Sequence, residues 1–112
     1  MKLIDRITDN AFQNMTLTGN AGQSIKLSMR YMPSQQGWFM DVSYEGFRLY
    51  GVRVVASPNM LRAYRNKIPF GLLCTTKEGV DPYRINDFEA GYAKMYLMTA
   101  DDVMEIEAAV YG

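Results

Sequence analysis

The chain has no histidine and a single cysteine, Cys74, and its 12 basic side chains cancel 12 acidic ones. Each shortage excludes something. Without histidine, the commonest general base and the commonest metal ligand are both missing. Ser-His-Asp and Cys-His catalytic arrangements therefore cannot be assembled. One cysteine allows no intrachain disulfide, which suits a reducing compartment. Zinc sites usually need several cysteines or histidines. No apolar run approaches the length of a bilayer span. The N-terminal MKLIDRITDN lacks the apolar core of a secretion signal, so synthesis in the cytoplasm is expected. Zero net charge argues against a chain devoted to binding nucleic-acid phosphates, and leaves copies of the chain without long-range repulsion.

Other residues are plentiful. Of the 112 residues, 48% are hydrophobic, nine are methionine and eight are tyrosine. Methionine adapts to irregular packing, and tyrosine joins apolar area to a polar tip. Both types serve cores and interfaces. The length is that of one domain, 1–112, able to bury a core without metals or disulfides.

Period-two patterning dominates. Trp38–Val54 reads as a hairpin turning at Glu45-Gly46, with Trp38, Met40, Val42 and Tyr44 on one face of its first arm. Gly51 interrupts the second arm and predicts a bulge or bend. A one-residue slip there exchanges the two faces, so the outward residues of that arm depend on it. Phe12–Thr18 and Ser24–Tyr31, separated by Gly19-Asn20-Ala21-Gly22, predict a second hairpin. Phe70–Thr76 reads as a buried strand, and Glu89–Met98 as a strand pairing with the central hairpin. Ser57-Pro58-Asn59 carries the signature of a helix start, continuing to about Lys67. Tyr83–Phe88 is ambiguous, with a turn at Asn86-Asp87. Residues 1–7 suit a first strand or an arm docking on a neighbour. Residues 99–112 suit a helix capped by Thr99, a last strand or a tail. The expected fold is mainly β: a small antiparallel β-barrel or sandwich with one or two short helices.

Catalytic constellations are weak. Asp101, Asp102, Glu105 and Glu107 form an acidic run without a cleft between carboxylates. Lys77–Asp81 is too sparse in oxygen for calcium. The glycines near Gly19 precede a strand, so the helix needed for a phosphate loop is missing. Cys74, in an apolar strand, reads as inert core. No catalytic, cofactor-binding or metal-binding residue is assigned, and no cofactor is expected. Two basic-aromatic groups stand out: Arg48, Tyr50 and Arg53 on the hairpin, and Arg62, Tyr64, Arg65 and Lys67 beyond it. Arginine and tyrosine dominate protein interfaces. On a small β-barrel they also bind single-stranded nucleic acid. Zero net charge favours the protein interface.

The order of these elements resembles a known family. Trp38-Phe39-Met40-Asp41-Val42, Glu45-Gly46, Leu49-Tyr50-Gly51-Val52, Asn59-Met60-Leu61, Pro69-Phe70-Gly71-Leu72-Leu73, Asp81-Pro82 and Met95-Tyr96-Leu97 follow one another as in the baseplate plug proteins of contractile-tailed bacteriophages. The resemblance runs from about Phe12 to Met98. It implies a compact, non-enzymatic virion component, made in the host cytoplasm and built into the tail baseplate at the tube–hub and spike junction. Its partners would be other tail and baseplate proteins and further symmetry-related copies, with no membrane and with nucleic acid disfavoured. The family offers no catalytic residues to transfer. Trp38 and Gly51 match as fold markers, and the acidic segment beyond Thr99 has no aligned feature. Contact candidates are Arg48, Tyr50, Arg53, Arg62, Tyr64 and Arg65, with the segment Met1–Ile7. The alternative is a small single-stranded nucleic-acid-binding module using Tyr64 and the neighbouring arginines.

Overall fold

The computed structural model describes residues 1–111. Seven strands form two antiparallel sheets. The four-stranded sheet is a simple meander of β2 (Phe12–Thr18), β3 (Ser24–Met32), β4 (Gly37–Tyr44) and β5 (Phe47–Arg53). The three-stranded sheet places β7 (Ala93–Thr99) between β1 (Lys2–Leu3) and β6 (Phe70–Thr76). One α-helix, α1 (Ala100–Ile106), follows β7 and runs into a wider helical turn, Glu107–Tyr111.

The sheets do not close into a barrel, so that expectation is corrected. The strand placement differs too. β7 was expected beside the Trp38–Val54 hairpin, yet it pairs with β6 from Phe70↔Thr99 to Thr76↔Ala93, and with β1 through Lys2↔Leu97. Alternation sets which side of a strand is buried but not which strand lies next to it. The segment 1–7 joins this sheet: the Ile4 amide donates to the Met95 carbonyl at 2.8 Å, and Ile4 and Ile7 are buried.

One core serves both sheets. Ile25, Leu27, Met29, Trp38, Met40 and Val42 come from the larger sheet, and Leu72, Cys74, Met95 and Leu97 from the smaller. Along β3 and from Trp38 on in β4 the buried residues are those the alternation selects, and all residues between them are polar except Phe39. Trp38 is wholly buried, its ring edge-on to Tyr31 and Phe88 at centroid distances of 5.5 and 5.9 Å.

The helix expected from Ser57 to Lys67 reduces to a single tight turn, Arg62–Tyr64. Instead, Ser57 exchanges two backbone hydrogen bonds of 3.0 Å with Cys74, and the Met60 amide donates to the Leu72 carbonyl. The buried Asn59 carboxamide oxygen accepts from the amides of Leu61 and Leu72 at 3.0 and 3.2 Å. These bonds satisfy the outer edge of β6 and outcompete helical hydrogen bonding in the same residues. Gly71 permits the approach, since a Cβ there would lie 2.9 Å from the Asn59 oxygen and 2.8 Å from Met98 Cε.

The expected cap of α1 is present. Thr99 Oγ1 accepts from the Asp102 amide at 3.1 Å, and Asp102 Oδ2 accepts from the Thr99 amide at 3.0 Å. This reciprocal capping box starts the helix directly at the end of β7.

Candidate functional site: the outer face of the four-stranded sheet

The turn Glu45-Gly46 joins β4 to β5, and the register shifts between Met40 and Val42. Val42 faces Leu49 and Met40 faces Val52, so Tyr50 and Gly51 together oppose Asp41. This is a β-bulge, with Gly51 at φ +70° in the left-handed region that glycine enters without a Cβ clash. The bulge decides the faces of β5. Phe47, Leu49 and Val52 turn toward the core, and Arg48, Tyr50 and Arg53 all share the outer face. Without the extra residue Arg53 would point the other way.

Asp41 sits at the centre of that face. Its Oδ1 accepts from the Gly51 amide at 2.7 Å, and its Oδ2 from Arg30 Nη1 at 2.9 Å. Partial burial raises the carboxyl pKa, but the hydrogen bonds from Gly51 and Arg30 and the charge of Arg30 outweigh it. The net result lies below the ordinary carboxylate value. By register, Lys26 and Arg30 of β3 share this face with Arg48 and Arg53, and Asp41 is its one acidic group. The rest is polar or aromatic, including Asn14, Thr16, Ser28, Phe39 and Ser43. A neutral chain thus presents one net-basic sheet face.

The six candidate contact residues divide into two groups. Tyr50 is 69% exposed. Arg48 is exposed and donates to Ser43 Oγ at 3.1 Å. Arg53 lies over the Phe39 ring and donates through Nη2 to the carbonyls of Gln35 and Gln36 at 3.3 and 3.1 Å. It therefore holds the Pro33–Gln36 turn against the sheet. Arg62 and Arg65 lie elsewhere, both on Glu107. Arg62 Nε donates to Oε2 at 3.1 Å, and Arg65 Nε is 2.9 Å from Oε1. The Arg62 guanidinium also covers the Tyr111 ring at 3.7 Å. Tyr64 is half-buried, edge-on to Phe47 at 5.4 Å. The structure thus brings Arg48, Tyr50 and Arg53 together and commits Arg62, Tyr64 and Arg65 to intramolecular contacts.

Two polar centres escaped the sequence reading. Asp87 is 1% exposed and accepts from the amides of Tyr83 and Arg84 at 2.9 Å each, and from Arg84 Nε at 2.7 Å. It shapes the turn that delivers the Arg84 carbonyl to the Trp38 indole N–H at 3.1 Å. The Asn86-Asp87 turn signal was visible, but burial was not. Glu107 belongs by sequence to the acidic run that begins at Asp101; its arginine partners lie more than 40 residues away, so no local pattern reveals them.

Among the described residues no group of three or more potential metal ligands converges, and no helix is long and apolar enough to cross a membrane. Cys74 is buried, and desolvation with the nearby Asp81 charge pushes its thiol up to about 12. At neutral pH it is a protonated core side chain rather than a nucleophile.

Two antiparallel sheets around one apolar core, with a polar, net-basic face outside, define a small β domain. Its family is given by comparison: the family model described as cyanophage baseplate Pam3 plug gp18 matches residues 1–100, and the chain belongs to this baseplate plug family. The match covers β1 to β7 and stops at the start of α1. None of the curated proteins matches the chain.

Proposed function

We propose that this chain is a non-enzymatic structural component of a contractile phage tail baseplate. In this reading it packs as a plug at the tube–hub and spike junction through protein–protein contacts, in several symmetry-related copies. The family match over residues 1–100 carries the reading. The outer face of the four-stranded sheet supports it, with Tyr50 as an exposed aromatic anchor and Arg48 and Lys26 as flanking cations. The contact set centres on Arg48, Tyr50 and Arg53, with Arg53 acting through the Pro33–Gln36 turn. Arg62, Tyr64 and Arg65 form a second patch whose outward shape is set by Glu107 and Phe47. Many modest interfaces around an axis add up to a stable junction, and non-covalent packing leaves it releasable during contraction.

The nucleic-acid alternative has less to work with. It calls on Tyr64 and the neighbouring arginines for stacking and phosphate contact. Tyr64 is engaged with Phe47, and Arg62 and Arg65 with Glu107.

The test is incorporation. Tails assembled with Tyr50→Ala or Arg48→Glu protein should contain clearly less of it, with affinity for the neighbouring baseplate protein about tenfold or more lower, as expected at an anchor position. Wild-type occupancy for both variants removes this face from the interface. Absence of the wild-type chain from purified tails overturns the baseplate assignment. Steeply salt-dependent binding to a single-stranded oligonucleotide would favour the alternative.

A further inference from the structure

The two sheets have four lateral edges, and three are closed or blunted. β6 is covered by residues 57–60 through Ser57, Asn59 and Met60. β1 is two residues long. β5 is broken by the Gly51 bulge and includes two charged residues, Arg48 and Arg53. Bulges, short strands and charged side chains are the devices that keep sheet edges from pairing. The fourth edge, β2, is neither short nor bulged, and the one charged side chain laid on it, Arg6, comes from outside the strand. FQNMTLT contains no charge, proline or glycine, and its register with β3 is unbroken over seven residues.

The hydrogen-bonding direction of β2 follows from the register. The Tyr31 amide donates to the Ala11 carbonyl, so Ala11–Tyr31 is a bonded pair of the antiparallel ladder. Such pairs alternate along the strands. Gln13, Met15 and Leu17 therefore bond to β3, and Phe12, Asn14, Thr16 and Thr18 turn their N–H and C=O groups outward. One contact confirms the direction: the Thr16 carbonyl accepts from Arg6 Nη2 at 2.7 Å. An open groove lined by Arg6, Thr8, Asn10, Met15 and Thr16 borders the edge, and Phe12 beside it is 64% exposed.

We infer that β2 is a strand-pairing edge whose occupant is the β2 strand of a second copy of this chain, related by a two-fold axis at Met15. That register sets Phe12 opposite Thr18 and Asn14 opposite Thr16, so outward-turned residues meet only outward-turned residues. The pairs are uncharged and include phenylalanine and threonine, which suit cross-strand packing. β5 paired with itself would instead bring arginines together. Arg6 takes one lone pair of the Thr16 carbonyl and leaves the second for the partner's amide. The strand itself, FQNMTLT, brings no charge to the approach. The product is a continuous eight-stranded sheet. A two-fold pair closes on itself and is not the repeating contact of a ring around an axis, so this inference goes beyond the baseplate reading and rests on strand chemistry alone.

The experiment uses the full chain, with sedimentation for oligomeric state and residue-resolved amide exchange. A concentration-dependent dimer is expected, in which the Asn14 and Thr16 amides exchange about tenfold or more slowly than in the dilute monomer, while those of Tyr50 and Arg53 do not change. Asn14→Pro deletes an outward donor at a position where an edge strand tolerates proline. Asn14→Lys keeps the donor and sets like charges diagonally across the axis. Each should weaken dimerisation by about tenfold or more. Asn14→Lys serves should the proline variant fail to fold. A monomer at all concentrations overturns the inference, as does a dimer with unprotected Asn14 and Thr16 amides or undiminished dimerisation of a folded variant. Tyr50→Ala should leave this equilibrium unchanged, so failure of the pairing and failure of the baseplate reading are separable.

Discussion

Asp41 and Gly51 are joined across the β4–β5 bulge by a 2.7 Å hydrogen bond, in which the Gly51 amide, displaced from the strand ladder, donates to the Asp41 carboxylate. The pair makes a two-against-one mismatch self-satisfying. Asp41→Ala should destabilise the fold by about 1–2 kcal/mol through the orphaned amide and the lost Arg30 partner. Asp41→Asn keeps an acceptor and should cost less. Gly51→Ala should cost about 1–2 kcal/mol from the left-handed backbone alone; the nearest atom to its Cβ, Arg30 Nη2, is 3.8 Å away. Urea midpoints at neutral pH measure all three.

Acid titration gives a second readout of that carboxylate. Its pKa is lowered in the folded state, so the fold binds its proton less readily than the unfolded chain does. The contribution is full above the unfolded value, roughly 3.9, and disappears as pH falls through the folded value. Wild type should therefore lose more stability than Asp41→Asn on going from about pH 5 to the acid limit. Equal losses would show that the carboxylate does not contribute.

Asp87 should be among the costliest polar positions to change. Its removal strands two backbone amides, while the half-exposed Arg84 side chain turns to water. Asp87→Ala is expected to lose about 2–3 kcal/mol, the cost of unsatisfied buried donors. Because Asp87 shapes the turn whose carbonyl holds the indole, the emission of the single tryptophan, Trp38, should move to longer wavelength in the folded variant. An unchanged spectrum would show that the turn is held by other contacts.

These two centres differ in how far the chain announced them. Gly51 interrupts a regular alternation, so the bulge was legible, and with it the condition for Arg48 and Arg53 to face the same way. The limits of β2 and β6 were legible for the same reason, and the Thr99 cap because Asp102 stands three residues on. Asp87 lies in a segment without periodicity, where a buried carboxylate and a solvated turn residue read alike. The division into two sheets was hidden because β7 has the same pattern whichever strand it pairs with. The helix expected after Ser57 failed because Asn59 bonds to Leu72, a partner 13 residues away that no local window contains. Of the contact candidates, Tyr50 kept the exposure that its pattern implied. Arg62 and Arg65 were redirected by Glu107 across a similar blind spot.

Cys74 reports the integrity of the core. Burial and a thiol pushed up to about 12 leave almost no thiolate at pH 8. Labelling by a disulfide reagent in native buffer should be slower than in denaturing urea by about a hundredfold or more, tracking opening of the β6 region. Rapid native labelling would mean that this strand opens independently of the rest.

The Glu45-Gly46 turn leaves stability unused. Glu45, not Gly46, adopts the positive φ, at 51°. Glu45→Asn should stabilise the protein by about 0.5–1 kcal/mol, because asparagine enters that region more readily. A thermal midpoint that falls would contradict the backbone argument.

The pairing of Lys2 with Leu97 sets an order on the birth of the molecule. The four-stranded meander is complete once residue 53 has left the ribosome, and each of its hairpins closes over a short span. The smaller sheet joins β1 to β7, on the far side of the meander in sequence, so β1 must wait unpaired until β7 emerges. Such distant closure is slow. A nascent chain stalled before β7 should carry a folded meander with Ile4 and Ile7 still exposed, which makes that interval the one in which a chaperone would find its substrate.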